Sequence, residues 1–374
     1  VLSSRPHWLD HDLLLGVAHY AVHYGNWHLS TLPAEPNWVN RDTDSVAGMI
    51  LRLHPSDPGQ DRRVRDLPFD GPVVVIGTED LSEGRPTVYW DPHAVGRVAA
   101  DYLIQQGHQS FATIGEAAHA AARLRIEGFV QRIHQAGHHC EQLHPAGPER
   151  TDKWDRLLGR LPRPVGVFSP SDLVARVVLD HAVRLGIAVP MDMAVVGGSD
   201  ERLTCELNRP RLSSVELPAH RVGFEAATLL ARLMEGASAP AEPMLIPPGG
   251  VIERETSYLT AAEDAQVNQA LQYIRDHSGQ PIAVADVLRA VPLSRRALEL
   301  RFKRATGHTL QKEIWRVHVN RARRLLVETD LPMPDVADRA GFADAQRMYE
   351  VFKRETGDSP TGYRQQRRSG RWQG

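Results

Sequence analysis

From residue 1 to about 255, short β-branched runs alternate with longer stretches of helical period. Val73-Val-Val-Ile-Gly77, Phe111-Ala-Thr-Ile-Gly115, Val165-Gly-Val-Phe-Ser169 and Ala194-Val-Val-Gly197 are nearly continuously apolar, which predicts parallel strands buried under helices on both faces. Helices are predicted between them over about 12–24, 94–106, 123–136, 173–185 and 219–235, and the alternation defines a doubly wound α/β body. The run 245–254 reads as its last strand, and the opening residues read as the end of a strand whose beginning is clipped.

After about residue 263 the period is helical throughout, and the sequence repeats itself. Phe302-Lys-Arg-Ala-Thr-Gly307 recurs as Phe352-Lys-Arg-Glu-Thr-Gly357, and Arg289-Ala290 as Arg339-Ala340, at the same offset. Each copy predicts a helix, a tight turn and a second helix. In the first, Val284, Val287 and Leu288 form an apolar stripe, Val291-Pro-Leu breaks it, Ser294 caps a helix containing Leu298 and Phe302, and Gly307 ends it. In the second, Val336, Ala337 and Ala340 precede the turn Gly341-Phe342, Asp344 caps, Met348, Val351 and Phe352 face inward, and Gly357 stops the helix. Between the copies, about 309–329 predicts one long helix with Arg316, Arg321, Arg323 and Arg324 mostly on its polar side. Two such units on one strut have the geometry that places helix N-termini in successive major grooves of DNA, about 34 Å apart.

Charge sharpens this picture. The whole chain carries 44 Lys+Arg and 46 Asp+Glu, a net of −2, which by itself gives no sign of a polyanionic partner. Residues 264–374 hold 20 Lys+Arg against 13 Asp+Glu, a net of +7, so the rest carries −9. An acidic body with a basic C-terminal domain points to nucleic acid; a solvated basic face is the plainer alternative.

Enzymatic chemistry is hard to find. The body has no GxGxxG, GxxxxGK[ST] or GxSxG pattern. His138-His139-Cys140 lacks a second ligand pair, and nothing places a base beside Cys140, so no metal, catalytic residue or cofactor is expected. The two cysteines exclude a disulfide framework, and no apolar run reaches membrane length, so a cytoplasmic protein without a membrane partner is expected.

Ala340-Gly-Phe-Ala-Asp344, Tyr349, Phe352-Lys-Arg354, Gly357, Pro360 and Tyr363-Arg364 resemble the signature of the arabinose-regulator (AraC) family. That resemblance implies base-edge contacts from Arg296 and Glu299 in the first reading helix and from Gln346, Arg347 and Glu350 in the second. Arg295, Lys303, Arg304, Lys353 and Arg354 are then phosphate contacts that position without specifying. Glu299 and Glu350 have an alternative role, pairing with an arginine on their own helix. Tyr349 departs from the smaller residue usual at its position.

The body resembles the lac-repressor family's ligand-binding core, itself similar to periplasmic sugar-binding proteins. The matching residues are Asp91…Gly96, Gly107-His108, Ala122-Arg-Leu-Arg-Ile-Glu-Gly-Phe129, Phe168-Ser-Pro-Ser-Asp172, Gly186-Ile-Ala-Val-Pro190, Val195-Val-Gly-Gly-Ser-Asp200 and Leu212-Ser-Ser-Val215. The resemblance implies two α/β lobes with a small effector in a cleft at strand C-termini. Carboxylates and guanidinium forks hold hydroxyl pairs well, which makes Asp172, Arg125, Asp91, Asp200 and Ser199 the candidate ligand residues. Arg125 has an alternative as an ion pair with Glu127 or Glu116, and Asp172 as a helix N-cap. Gly197 is followed by Gly198, Ser199 and Asp200, where the family commonly has a bulkier residue and two acidic or amide groups; the lost carboxylate at Ser199 implies a different sugar or a transfer of its role to Asp200.

The expected fold is therefore an α/β two-lobed periplasmic-binding-protein-like sensor over 1–255, a linker over 256–263, and an all-α double helix-turn-helix domain over 264–374. Sensor before reader is an uncommon order that resembles the xylose operon regulator group. It implies a sugar-controlled transcriptional activator, with a double-stranded DNA operator, a pentose effector such as xylose, RNA polymerase and a second copy of the chain as partners. An α/β enzyme fused to a reader, and a reader whose body is only a dimerisation scaffold, remain as alternatives.

Overall fold

The computed structural model describes residues 2–3, 8–30, 32–33, 46–53, 69–77, 84–115, 120–145, 151–257, 264–306 and 308–369. Glu116, Gly307 and 258–263 of the expected linker lie outside them.

The chain forms two compact units. The first comprises residues 1–95, 117–125 and 217–248, and the second comprises 96–116, 126–216 and 249–374. The first unit is built on a six-stranded, all-parallel sheet in the order Met244–Ile246, Thr87–Trp90, Val73–Ile76, Met49–Arg52, Leu2–Ser3, Leu32–Pro33. Its central strands are buried at every position, which explains why they read as apolar runs without alternation.

Helices Trp8–Tyr20 and Ala219–Met234 pack closely in this unit, through a glycine on each. A Cβ on Gly16 would come within 1.9 Å of the His220 carbonyl oxygen, and one on Gly223 within 2.0 Å of that of Leu13. Backbone meets backbone here, so no side chain can swing away to make room. Gly16→Ala is expected to cost about 2–3 kcal/mol by forcing the helices apart. Urea unfolding checks this, and an unchanged midpoint at constant slope would contradict it.

The second unit holds a sheet in the order Val251–Ile252, Ser213–Val215, Met193–Gly197, Val165–Phe168, Ser110–Ile114, Cys140–Leu143. It is parallel except for the antiparallel edge strand Val251–Ile252. The single strand expected over 245–254 is thus two strands, one in each sheet, separated by Pro247-Pro248-Gly249-Gly250. Proline supplies no ladder N–H, so it interrupts pairing. Thr256 and Ser257, expected to start the linker, are fully buried in this unit. The Thr256 Oγ1 donates to the Val195 carbonyl at 2.7 Å and accepts from the Ser213 N–H at 2.9 Å.

The same unit carries an all-helical C-terminal part with two cores. Val267, Leu271, Ile274, Leu298 and Phe302 build the first, and Val336, Ala337, Met348, Val351 and Phe352 build the second. Helix Leu310–Glu328 joins them, giving Leu310 and Ile314 to the first core and Val319, Ala322 and Leu326 to the second. Among the described residues no helix is long and apolar enough to cross a membrane.

Candidate DNA-reading and effector sites

The repeat folds as two helix-turn-helix units: Val284–Ala290 with Arg295–Thr306, and Met333–Arg339 with Ala345–Thr356. Ser294 Oγ accepts from the Ala297 N–H at 3.3 Å and Asp344 Oδ1 from the Arg347 N–H at 2.7 Å, so both second helices start at a side-chain cap. They also end alike. The Thr306 and Thr356 hydroxyls each sit 2.7 Å from the carbonyl of Phe302 or Phe352 four residues back. Gly341 turns between the helices at φ +82°, and a Cβ there would meet the Gln280 and Ser278 carbonyl oxygens at 2.7 Å.

Arg295, Arg296, Glu299, Lys303 and Arg304 on the first reading helix are all exposed, as are Gln346, Arg347, Glu350, Lys353 and Arg354 on the second. Both glutamates are paired on their own helix: Arg295 Nε donates to Glu299 at 2.9 Å, and Arg347 Nη1 to Glu350 at 3.2 Å. Sequence reasoning missed Trp315 on the joining helix. The guanidinium carbons of Arg354 and Arg347 lie 4.0 and 5.5 Å from its ring centroid, which orients two basic side chains of the second reading helix.

In the first unit, Asp91 follows strand Thr87–Trp90 and caps the next helix, its Oδ1 accepting from the Ala94 N–H at 2.9 Å. Arg125, on helix Ala120–Gln135, is 7% exposed, whereas Glu127 is exposed. Two further groups at strand C-termini had not been singled out. The buried Arg52 donates Nη1 to the Leu53 carbonyl, and its guanidinium lies 5.3 Å from the Trp90 ring centroid. Trp90 Nε1 is buried without a hydrogen-bond partner. An arginine closing the apolar run Met49-Ile-Leu-Arg52 was the available signal.

In the second unit, Asp172 is the first residue of helix Asp172–Arg184; the N-cap is Ser171, not Asp172. The Asp172 side chain is 1% exposed and turned inward. Its Oδ1 accepts from Ser214 Oγ at 2.7 Å and the Ser199 N–H at 3.3 Å, and its Oδ2 from the Glu201 N–H at 2.6 Å and the Cys205 thiol at 3.5 Å. A Cβ on Gly197 would come within 2.0 Å of Asp172 Oδ1, so the glycine is what lets the carboxylate reach the loop. Ser199 is half-buried in that loop. Asp200 is a non-glycine residue at φ +45°, with its Oδ1 2.9 Å from Arg254 Nη2. Burial raises the Asp200 carboxyl, partly offset by the Arg254 charge.

The His138-His139-Cys140 run does not converge. His138 packs 5.2 Å from the Phe111 ring, His139 is exposed, and Cys140 is buried in its strand, where burial pushes the thiol up to about 12. Such a thiol is a poor nucleophile at neutral pH.

These features define a class: a DNA-binding transcriptional regulator that carries a periplasmic-binding-protein-like body and an AraC-type double reader in one chain. Residues 100–257 match the periplasmic binding protein-like domain family, and residues 287–366 match a helix-turn-helix domain family. The chain is 33% identical over 308 residues to the xylose operon regulatory protein of Escherichia coli (strain K12), covering 79% of each. It is 31% identical over 307 residues to that of Haemophilus influenzae, covering 78% of this chain and 79% of the relative. A solved structure described as a xylose-binding transcription activator matches with a TM-score of 0.59 at 28% identity, covering 97% of this chain and 96% of that one. The chain belongs to the xylose operon regulatory protein family.

Proposed function

We propose that this regulator binds a pentose, xylose or a close relative, in its α/β body, and as a dimer on its operator recruits RNA polymerase to sugar-catabolism genes in the cytoplasm. The observation that carries this reading is the similarity, along nearly the whole chain, to a xylose-binding transcription activator. The polar groups at strand C-termini support it. Taken by itself, the first unit offers Asp91 and Arg52 there, with Arg125 on helix Ala120–Gln135, and the second unit, taken by itself, offers Ser199 and Asp200, as the side chains we assign to sugar hydroxyls. Asp172 serves the site through the loop it holds, because both of its oxygens are engaged internally. The reading makes the protein a sensor and not an enzyme, with the sensor extended to Ser257, which is buried with Thr256 in the second unit.

A thermal-shift panel of pentoses and hexoses tests this. A sugar at 100 times its Kd stabilises by about 2.7 kcal/mol, an upward shift on the order of 5–10 °C for a domain of this size. D-Xylose or another pentose is expected to give it. A second reading, a body acting only as a dimerisation scaffold, is favoured by the internal use of Asp172. Failure of every sugar to move Tm would select it.

A further inference from the structure

After strand Val251–Ile252 the chain carries two consecutive charged side chains with different partners. Arg254 is tied to the sheet and the loop beside it. Its backbone N–H donates to Ser213 Oγ at 2.7 Å, Nη1 to the Leu212 carbonyl at 2.9 Å and Nε to Glu206 at 2.7 Å, while Nη2 lies 2.9 Å from Asp200. Glu253 is tied to the reader. Its Oε1 and Oε2 accept from Arg316 Nη1 at 2.8 and 2.7 Å, and Oε1 also accepts from the Tyr102 hydroxyl at 2.7 Å.

Arg316 lies on the helix Leu310–Glu328 that joins the two reading units. Its Nη2 and Nε donate to Glu313 at 2.7 and 2.9 Å, and His308 Nε2 is 2.6 Å from the same carboxylate. Glu313 is 1% exposed; burial opposes its ionisation, but Arg316 and His308 outweigh burial and hold it well below the usual carboxylate range. Around these pairs the junction is poorly filled. A cavity of about 450 Å³ is bordered by Tyr102, His308, Lys312 and Arg316. Another of about 170 Å³ is bordered by Glu253, Arg275, Val317 and Arg321. Polar contacts from Glu253 join the reader to the sheet here.

We propose that Glu253 and Arg254 form a two-sided latch: Arg254 registers the position of loop 198–201, and Glu253 transmits it to the joining helix through Arg316. The loop is suited to such reading. It hangs on Asp172 and Ser214, and Asp200 occupies the left-handed region without being glycine, so the loop has few ways to adjust. Consecutive residues share a planar peptide, so a shift of Arg254 carries Glu253 with it. The Glu253–Arg316 pair is largely desolvated, at 12% and 24% exposed, so separating it removes a charge-assisted pair that Tyr102 and Glu313 replace only in part, which favours a held over a half-open arrangement. Two discrete arrangements are what a coupling element requires. The sugar arm of this inference rests on the function proposed above, and the second arm does not.

The test uses the full chain. In Arg254→Met, hydrogen exchange of the amides in 310–320 is expected to accelerate at least tenfold, although that variant alters no reader residue; unchanged protection would overturn the latch. Should Arg254→Met not fold, Arg254→Lys, which keeps the charge and loses the fork, carries the same measurement. In Glu253→Gln, D-xylose affinity is expected within twofold of wild type. The ratio of operator affinities with and without D-xylose is expected to fall to within twofold of one, by loss of coupling free energy. A ratio equal to that of wild type also overturns the latch. A wild-type ratio of one would instead refute the sugar reading, and the exchange measurement then decides the latch alone.

Discussion

Asp172→Ala is expected to lower the stability of the second unit by about 3–5 kcal/mol, and to do so with no sugar present. The carboxylate accepts from two backbone N–H groups, a serine hydroxyl and a thiol, all in a place that water does not reach. Truncation strands the Glu201 N–H outright. Ser199 keeps a second acceptor in Ser214 Oγ at 3.1 Å, so its loss is smaller. The residual cavity beside Gly197 adds to the cost. Asp172→Asn should be only partly milder, since one of its two acceptor positions becomes an NH₂ facing existing donors. Urea unfolding of the full chain, followed at the transition that includes the α/β body, measures the effect. A loss below about 0.5 kcal/mol would mean that the loop finds other acceptors and that the hydrogen bonds are dispensable. A fall in sugar affinity in this variant therefore has to be read against its stability, and Ser199→Ala is the cleaner probe of ligand contact.

The sequence was most informative where physics is local. Buried parallel strands announce themselves as apolar runs, so Val73–Ile76, Ser110–Ile114, Val165–Phe168 and Met193–Gly197 lie where the pattern put them. Caps and stops are equally local: Ser294, Asp344 and Gly357 all act as their residue types predict, Gly357 at φ +82°. The repeat was legible because two copies of one unit must solve one packing problem, and Phe302 and Phe352 are both fully buried.

What stayed hidden depends on partners far along the chain. Glu253 and Arg316 are 63 residues apart, and Asp172 and Ser214 are 42 apart. Nothing in a run of residues shows that an aspartate before a helix will turn inward and spend its lone pairs on a loop. Strand Met49–Arg52 was missed because it ends in Arg, which breaks its apolar run, and strand Thr87–Trp90 because it opens on Thr after the polar stretch Glu83-Gly-Arg-Pro86. The divided strand near 245–254 was missed although Pro247-Pro248-Gly249-Gly250 marked it, because apolar character resumes at Val251 and bridges the gap by eye.

Operator affinity is expected to fall by about 10³-fold or more between 50 and 200 mM salt, as for a protein that neutralises six to ten phosphates. The basis is the +7 net charge of residues 264–374 and the exposure of Arg296, Lys303, Arg304 and Lys353 on helices that give Leu298, Phe302, Met348, Val351 and Phe352 to the two cores. A slope near zero would overturn reading by these helices. The paired side chains make the finer prediction. Arg295 and Arg347 are bound to Glu299 and Glu350, exposed pairs worth only about 0.3–0.5 kcal/mol, so DNA can displace them at small cost. Removing a carboxylate then separates its two roles. If Glu350 only orients Arg347, Glu350→Gln should bind all sequences somewhat more tightly, because one like charge facing the phosphates is gone. If Glu350 accepts from a cytosine amino group, the same variant should lose about 1–3 kcal/mol at a single operator position and little elsewhere. The structure favours the first outcome for Glu350, since Gln346 Nε2 at 3.4 Å and Arg347 at 3.2 Å both hold it on the helix surface. Position-by-position operator substitution, measured at one fixed salt concentration, distinguishes the two. If the exposed Arg304 contacts a phosphate, as the AraC resemblance implies, Arg304→Ala should weaken every sequence alike and lower the salt slope by about one.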